Sequence, residues 1–243
     1  MFIRQEGFTV NKVTTIFTVY KRESLEEQIQ RMKAQTVDSD FIVWQNESHV
    51  DISDLVEKYN LIHIQSNHNW KYHGRFTIPL MLKTEYTVIL DDDTLPNPLW
   101  LESCVELCER ERCIVGGNGR LISPKNLVRN IAVDQPDKDH EVDFVGHAWF
   151  FRTEWSRLFW QDQMYSLWTA EDIAFCAALK VNGGIKSFVP DFTVEERRGD
   201  SDKWKFGVDE NVIQDPAHIN KHYQERLHVV QQYLNKGWKI CLS

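Results

Sequence analysis

The sequence lacks the features that mark several common classes of protein. Its 243 residues carry 28 basic and 36 acidic side chains, and this net charge of −8 leaves no excess of cations for binding nucleic acid through its phosphates. No apolar run approaches the roughly 20 residues that a membrane-spanning helix needs. The first ten residues, MFIRQEGFTV, contain no apolar signal core, so we expect a protein that is not secreted.

Cysteine is scarce, and its spacing does not suggest a metal site. There are five cysteines and no CxxC pair, whereas a zinc site would have closer pairs with histidine partners. Cys104 and Cys108 are four residues apart and are predicted to pack on one face of a helix. Because free thiols are typical of reducing compartments, we expect a cytoplasmic location.

Short β-branched and apolar runs alternate with helical periods along the first half of the chain. One predicted helix begins with a capping box formed by Ser24 and Glu27. This alternation predicts an α/β fold with a mixed, mainly parallel central sheet flanked by helices. The predicted strands cover residues 13–19, 41–44, 61–64, 86–90 and 113–115, and further helices cover 51–59, 74–83 and 99–110.

The second half of the chain is less regular. The glycines of GGNG, residues 116–119, predict a turn or a close approach of two backbones. A long aromatic strand is predicted over 142–151, and a helix over 169–181 that ends at Gly183-Gly184. A last helix is predicted to start with Asp215 as N-cap and Pro216 at its first position. Its apolar stripe comprises Ile219, Tyr223, Leu227, Val230 and Leu234.

Three consecutive aspartates, Asp91, Asp92 and Asp93, directly follow the apolar run YTVIL at residues 86–90. In open α/β sheets, ligands bind beyond the carboxyl ends of the strands. Adjacent carboxylates repel one another, and Asp91 and Asp93 could converge on Mg²⁺ or Mn²⁺, which prefer oxygen ligands and share them with substrate phosphates. The alternative is a solvated acidic turn before Pro96.

Five segments, in order along the chain, resemble the GT-A glycosyltransferases of families 2 and 64 (exostosin-like), which carry a DxD motif. They are TVYKRESL at 18–25, IVWQN at 42–46, DDDTL at 91–95, VGHAWFF at 145–151 and EDIAF at 171–175. The resemblance covers residues 13–190 and implies a metal-dependent transfer of sugar from a nucleoside diphosphate donor, with UDP favoured, to a hydroxyl of a carbohydrate or glycoconjugate acceptor. It implies a single domain, 1–243, with a nucleotide-binding half at about 13–110, an acceptor half at 111–190, and a loop and closing helix at 191–243.

The resemblance also implies roles for individual residues. Asp93 and Asp91 would bind Mn²⁺ or Mg²⁺. Asp172 would be the base, assisted by Glu171, because a sugar hydroxyl is a poor nucleophile until a carboxylate removes its proton. The alternative is that Glu171 and Asp172 only stabilise the helix dipole, with Thr169 as cap. Contacts to the donor are implied for Thr18, Tyr20, Arg22, Asn46, Arg75, Asp91, Asp92, Arg198 and Lys203.

Several alternatives stay open in the sequence. Arg75 could instead be a charge on a helix surface, and His147 could contact the donor sugar or simply pack. No late histidine stands out as a third metal ligand. Stereochemistry is undecided, since family 2 enzymes invert and family 64 enzymes retain.

Two other functions share parts of the pattern. A sugar-nucleotide nucleotidyltransferase also uses an α/β sheet and metal-binding carboxylates, but that class opens with a glycine-rich loop, and this chain has TVYKRES at residues 18–24. A non-catalytic module that binds nucleotide sugars or glycans would retain the sheet. The intact Asp91–Asp93 and Glu171-Asp172 argue against such a loss of activity.

Overall fold

A computed structural model describes residues 11–133, 136–199 and 216–243. The strands are β1 (Val13–Val19), β2 (Ser39–Asn46), β3 (Ile62–Ser66), β4 (Tyr86–Leu90), β5 (Cys113–Ser123), β6 (Asn126–Val133), β7 (His140–Val142), β8 (Phe144–Arg152) and β9 (Lys186–Val189). The α-helices are α1 (Leu25–Lys33), α2 (Ser53–Tyr59), α3 (Trp100–Glu111), α4 (Ser156–Phe159), α5 (Glu171–Gly183) and α6 (Pro216–Asn235). The described strands form one sheet in the order β3-β2-β1-β4-β8-β5-β9-β7, with β6 paired to β5.

The first four strands are parallel, so their carboxyl ends meet at one edge of the sheet. β1 pairs in parallel with both β2 and β4, and β2 pairs in parallel with β3. Their positions confirm the sequence prediction, and the segment 74–81, predicted as helix, forms a 3₁₀ helix. Ile16, Val43 and Ile89 are fully buried, as expected for strands covered on both faces.

The second half of the sheet contains antiparallel pairs; the strands predicted at 113–115 and 142–151 are confirmed by β5 and β8, but their directions were not predicted. β8 runs antiparallel to β4 and β5, and β6, β7 and β9 were missed. The predicted turn at 116–119 is wrong, because these residues lie inside β5. The predicted close approach is confirmed, since a Cβ added to Gly116 would lie 2.2 Å from the Cβ of Val145.

The predicted N-cap position of Ser24 is confirmed, but its capping hydrogen bond and the predicted cap at Thr169 are wrong, because both hydroxyls bind elsewhere. Ser24 is the N-cap residue of α1, but its hydroxyl donates to the carbonyl oxygen of Asp92 at 2.5 Å and makes no cap hydrogen bond. α5 begins after Ala170, and the hydroxyl of Thr169 is hydrogen-bonded to His222 at 3.1 Å. Both hydroxyls therefore connect elements that are distant in sequence.

The terminal helix α6 begins at Pro216 as predicted, and Asp215 lies outside the described residues. Its predicted stripe is partly wrong, because Ile219 and Tyr223 are 36% and 46% exposed. The face turned to the body of the protein instead carries Arg226, which pairs with Asp172, followed by the buried Val229, Val230 and Tyr233. Within the described residues, no helix combines the length and apolar character that crossing a bilayer requires.

All five cysteines are free, and Cys104 and Cys108 are fully buried in α3, which confirms that they pack in the core. The proposed nucleotide-binding and acceptor halves share the one sheet, and their division at residue 110 stays a prediction.

Candidate active site

A cavity of about 280 Å³ opens at the carboxyl ends of β1, β2 and β4. We call it the first cavity. It brings together most of the side chains that the sequence selected, from elements far apart in the chain. Its lining includes Thr18, Tyr20, Arg22, Asn46, Asn69, Lys71, Tyr72, Arg75, Asp91, Asp92, Asp93 and Glu171.

The aspartate triplet is held in place by backbone and side-chain hydrogen bonds from two neighbouring elements. The backbone N–H of Asp91 donates to the carbonyl oxygen of His147 in β8 at 2.9 Å, and the hydroxyl of Thr94 donates to the same oxygen at 2.8 Å. The buried amide of Gln28 in α1 donates to the carbonyl oxygens of Asp91 and Thr94 at 2.6 and 3.0 Å. The triplet is thus a fixed turn and not a solvated one.

Arg22 provides a positive charge beside the last two aspartates of the triplet, Asp92 and Asp93. Its Nη1 donates to the carboxylate of Asp92 and lies 3.6 Å from Oδ2 of Asp93. Burial raises the pKa of Asp92 to about 6, although the charge of Arg22 opposes that shift. Burial acts in the same direction on Asp93, but the hydrogen bond and charge of His147, with Arg22, outweigh it and hold the pKa of Asp93 below its ordinary value.

Arg75 links the aspartate triplet to the start of α5. It is only 3% exposed, so it is not a charge on a helix surface. Its Nη1 donates to the carboxylate of Asp91, and its Nη2 donates to Oε1 of Glu171 at 3.3 Å. The guanidinium carbon lies 4.7 Å from the ring centroid of Trp149 and 5.5 Å from that of Phe76. Aromatic faces thus hold the group that bridges the two acidic segments.

Glu171 and Asp172 are adjacent but occupy different electrostatic environments. Burial, reinforced by the charge of Asp172 and opposed by Arg75, raises the pKa of Glu171 to about 8. Glu171 therefore carries a proton at neutral pH in the metal-free protein. Asp172 accepts hydrogen bonds from both terminal nitrogens of Arg226, at 3.0 and 2.8 Å. Arg226 was not predicted from the sequence, because it lies 54 residues further along the chain than Asp172.

A second cavity of about 180 Å³ shares Asp91 and Glu171 with the first and lies between β5, β8 and the helices α5 and α6. Its walls contain two buried N–H donors, Nδ2 of Asn118 and Nε1 of Trp149, for which the described residues offer no acceptor. Donors of this kind suit an oxygen-rich ligand. Asn118 belongs to the GGNG segment, whose interpretation as a turn concealed it. The lining is completed by Arg120, Asn130, Phe144, Gly146, His147, Asp172 and Arg226.

Asp91, Asp93 and His147 could together hold a metal ion. One potential ligand atom from each lies within 4.8 Å of the other two. His147 has a φ of 62°, an unusual value for a residue other than glycine, in the strand beside the triplet. Two carboxylates and an imidazole are a donor set that fits a divalent cation. The sequence offered His147 only as a sugar contact or a packing residue.

One predicted donor contact, Arg198, does not line either cavity. Arg198 lies next to Glu195 at 3.5 Å and over the ring of Phe192 at 5.7 Å. Lys203 lies outside the described residues.

The chain was compared with known families, curated proteins and solved structures. The family described as Glycosyl transferase family 2 matches residues 14–162, which is more than half of the chain. No curated protein matches. The crystal structure of TarS from S. aureus is similar with a TM-score of 0.55 and 16% identity, over 92% of this chain and 43% of that chain. The chain thus spans less than half the length of TarS, and at this identity the likeness shows the fold alone. The chain belongs to glycosyl transferase family 2 and has the GT-A fold of a glycosyltransferase.

Proposed function

We propose that the protein transfers a sugar from a UDP-sugar to a hydroxyl of a carbohydrate or glycoconjugate acceptor, with inversion at the anomeric carbon and with Mn²⁺ as cofactor. One observation carries this proposal: Asp91, Arg75 and Glu171 form a continuous bridge between a polar cavity at the strand ends and a second cavity that contains Asp172. Donor and acceptor would then meet at the shared wall. The family assignment favours glycosyl transfer over a nucleotidyltransferase or a non-catalytic binding module.

We propose that Asp91, Asp93 and His147 bind the metal. Mg²⁺ takes oxygen ligands almost exclusively, whereas an imidazole beside two carboxylates favours a transition metal such as Mn²⁺. When bound there, the ion would offset the negative charge that develops on the departing diphosphate. Arg22, already beside Asp92 and Asp93, is the nearby side chain suited to contact the diphosphate.

The base and ribose would occupy the part of the first cavity near the ends of β1 and β2. The amide of Asn46, at the end of β2, is committed to the segment after β3, since its Nδ2 donates to Asn69 and its Oδ1 accepts from the backbone N–H of Trp70, both at 3.0 Å. The hydroxyl of Tyr20 accepts from Asn69 at 2.9 Å and retains its proton for donation. Tyr20, together with Thr18, could therefore bond a pyrimidine carbonyl, which supports UDP as the donor.

Asp172 is proposed as the base that removes the proton of the acceptor hydroxyl. Its Oδ1 accepts from Arg226 and from the backbone N–H of Ile173 at 2.8 Å, whereas Oδ2 accepts one hydrogen bond, from Arg226, and keeps a lone pair for that proton. Glu171, which is protonated and bonded to Arg75, would assist as a hydrogen-bond donor rather than as a second base. A single displacement with one base inverts the anomeric centre.

Two further proposals are supported by fewer observations. Arg198 and Lys203 keep a proposed role at the donor diphosphate from the family resemblance alone. A cytoplasmic location is supported by the five free cysteines.

The test is calorimetric titration of UDP with and without Mn²⁺, followed by transfer assays on a panel of sugar nucleotides. We expect UDP binding to require Mn²⁺ and Asp93→Ala to lose both binding and transfer, whereas Asp54→Ala on the exposed face of α2 keeps them. Metal-independent binding, or full transfer by Asp93→Ala, would refute the proposed metal site. An NMR assay of the product's anomeric configuration tests inversion.

A further inference from the structure

The terminal helix α6 contributes one charged side chain to the second cavity. Arg226 faces Asp172 at the start of α5, and its two terminal nitrogens each donate to a different carboxylate oxygen. The two side chains are 16% and 17% exposed. Both ends of the pair are thus largely withdrawn from water, where a two-pronged arginine–carboxylate contact has a defined geometry and not a fluctuating one.

The guanidinium of Arg226 is itself supported by rigid elements. Its carbon lies 5.5 Å from the ring centroid of Phe144 in β8. One turn earlier in α6, His222 is hydrogen-bonded to Thr169, two residues before α5 begins. In the following turns, Val229, Val230 and Tyr233 are buried in the core. The position of Arg226 is therefore fixed by the docking of α6, independently of any ligand.

Asp172 depends on this contact for its orientation. Its neighbour Glu171 is a second carboxyl group whose cation is Arg75, so Arg226 is the arginine that the structure places on Asp172. Without Arg226, the Asp172 carboxylate would lose two donors and its direct counter-charge in a partly buried position. It would keep the backbone N–H of Ile173, which donates to Oδ1 at 2.8 Å, but Oδ2 would lose its donor and the carboxylate could rotate.

We propose that Arg226 is a positioning residue that acts through Asp172, fixing the carboxylate where it can remove the acceptor's proton. This inference rests on the proposed function of Asp172 as base. Both residues lie beyond the segment 14–162 that matches the family, so the contact is a feature of this chain's C-terminal part. The competing possibility is that Arg226 binds the acceptor directly.

A double-mutant cycle on the full chain separates the two. Asp172→Asn, Arg226→Met and the double variant are compared with the wild type for kcat, for acceptor KM and for Mn²⁺-dependent UDP affinity. We expect Arg226→Met to lower kcat about a hundredfold, because a misplaced catalytic group costs that much. UDP affinity should be unchanged, and the double variant should be no slower than Asp172→Asn, since residues that act as one unit are not additive.

Two further variants serve as a conservative substitution and as a control. Arg226→Lys retains the charge and should recover part of kcat, and it keeps the test available if Arg226→Met fails to fold in a thermal unfolding assay. Arg152→Met is the matched control, because Arg152 also bonds two carboxylates, Glu85 and Glu109, but at the opposite end of β4. It should leave kcat unchanged.

Additive losses in the double variant, or a rise in acceptor KM with kcat unchanged, would overturn the proposal in favour of direct acceptor binding. If the wild type failed to bind UDP, the proposed function itself would fail, and the titration shows this before any variant is made.

Discussion

The buried carboxyl of Glu171 predicts an unusual pH dependence of stability. Burial and the charge of Asp172 raise its pKa from the ordinary 4.5 to about 8 in the metal-free protein. Between these two values the unfolded chain ionises Glu171 while the folded protein keeps the proton. Because the unfolded state binds fewer protons there, the free energy of unfolding falls as the pH rises. No stability is lost below the pKa of Glu171 in the unfolded chain, and the loss is complete above its pKa in the folded protein.

The size of the effect follows from the shift. Proton linkage for a single group with these two pKa values removes about 3 kcal/mol of stability between about pH 5 and pH 8. Glu171→Gln keeps an acceptor oxygen for Arg75, which bonds Glu171 at 3.3 Å, but cannot ionise. We therefore expect the variant to match the wild type near pH 5 and to be more stable by about 3 kcal/mol near pH 8.

The assay is urea unfolding of both proteins across this pH range in the presence of a chelator, since a bound cation would alter the local charges. Asp91 and Asp92, whose pKa values burial also raises, titrate in both proteins, so the difference between the wild type and the variant reports Glu171 together with its interaction with these neighbours. Glu154→Gln, at an exposed position, controls for the loss of an ordinary carboxyl group. Parallel stability curves for the wild type and Glu171→Gln would refute the reasoning.

Two further predictions follow from the metal site and the sheet. His147→Ala should weaken Mn²⁺ binding by about tenfold or more, measured by electron paramagnetic resonance of free Mn²⁺, while the exposed His68→Ala should not; equal affinities would exclude His147 as a ligand. Gly116→Ala should lower the free energy of unfolding by about 1–3 kcal/mol, because its Cβ would lie 2.2 Å from that of Val145. In the same urea assay Gly146→Ala, whose nearest contact would be 3.2 Å, should cost less; the reverse order would contradict the packing argument.

The first half of the fold could be predicted because its signals are local. Buried parallel strands are apolar throughout, as YTVIL at 86–90 shows, and helices of regular period separate them. The second half could be predicted only in part: the strand at 142–151 and the last two helices were found, but β6, β7 and β9 were missed because the strands pair in an order that does not follow the sequence. β6 reads NLVRNIAV, a mixture without alternation, and GGNG lies in a strand only because Val145 of β8 packs against it.

The site divides in the same way. Asp91–Asp93 and Glu171-Asp172 stand out as motifs, and the ends of β1 and β2 indicate the donor cavity. The roles of His147 and Arg226 could not be assigned, because each depends on contact with a residue more than 50 positions away in the chain. Only the antiparallel pairing of β4 with β8 and the docking of α6 on α5 bring them into place.

The arrangement also explains how an acidic protein can bind a diphosphate. Each acidic position is matched with an arginine from a different element: Arg22 after β1 for Asp92, Arg75 for Asp91 and Glu171, and Arg226 of α6 for Asp172. With Glu171 protonated, the formal charges of these three arginines and of the four aspartates, Asp93 included, sum to 3 − 4 = −1. A divalent cation would therefore make the site positive. The net charge of −8 thus says little about the local field, and the order of binding should be metal before donor.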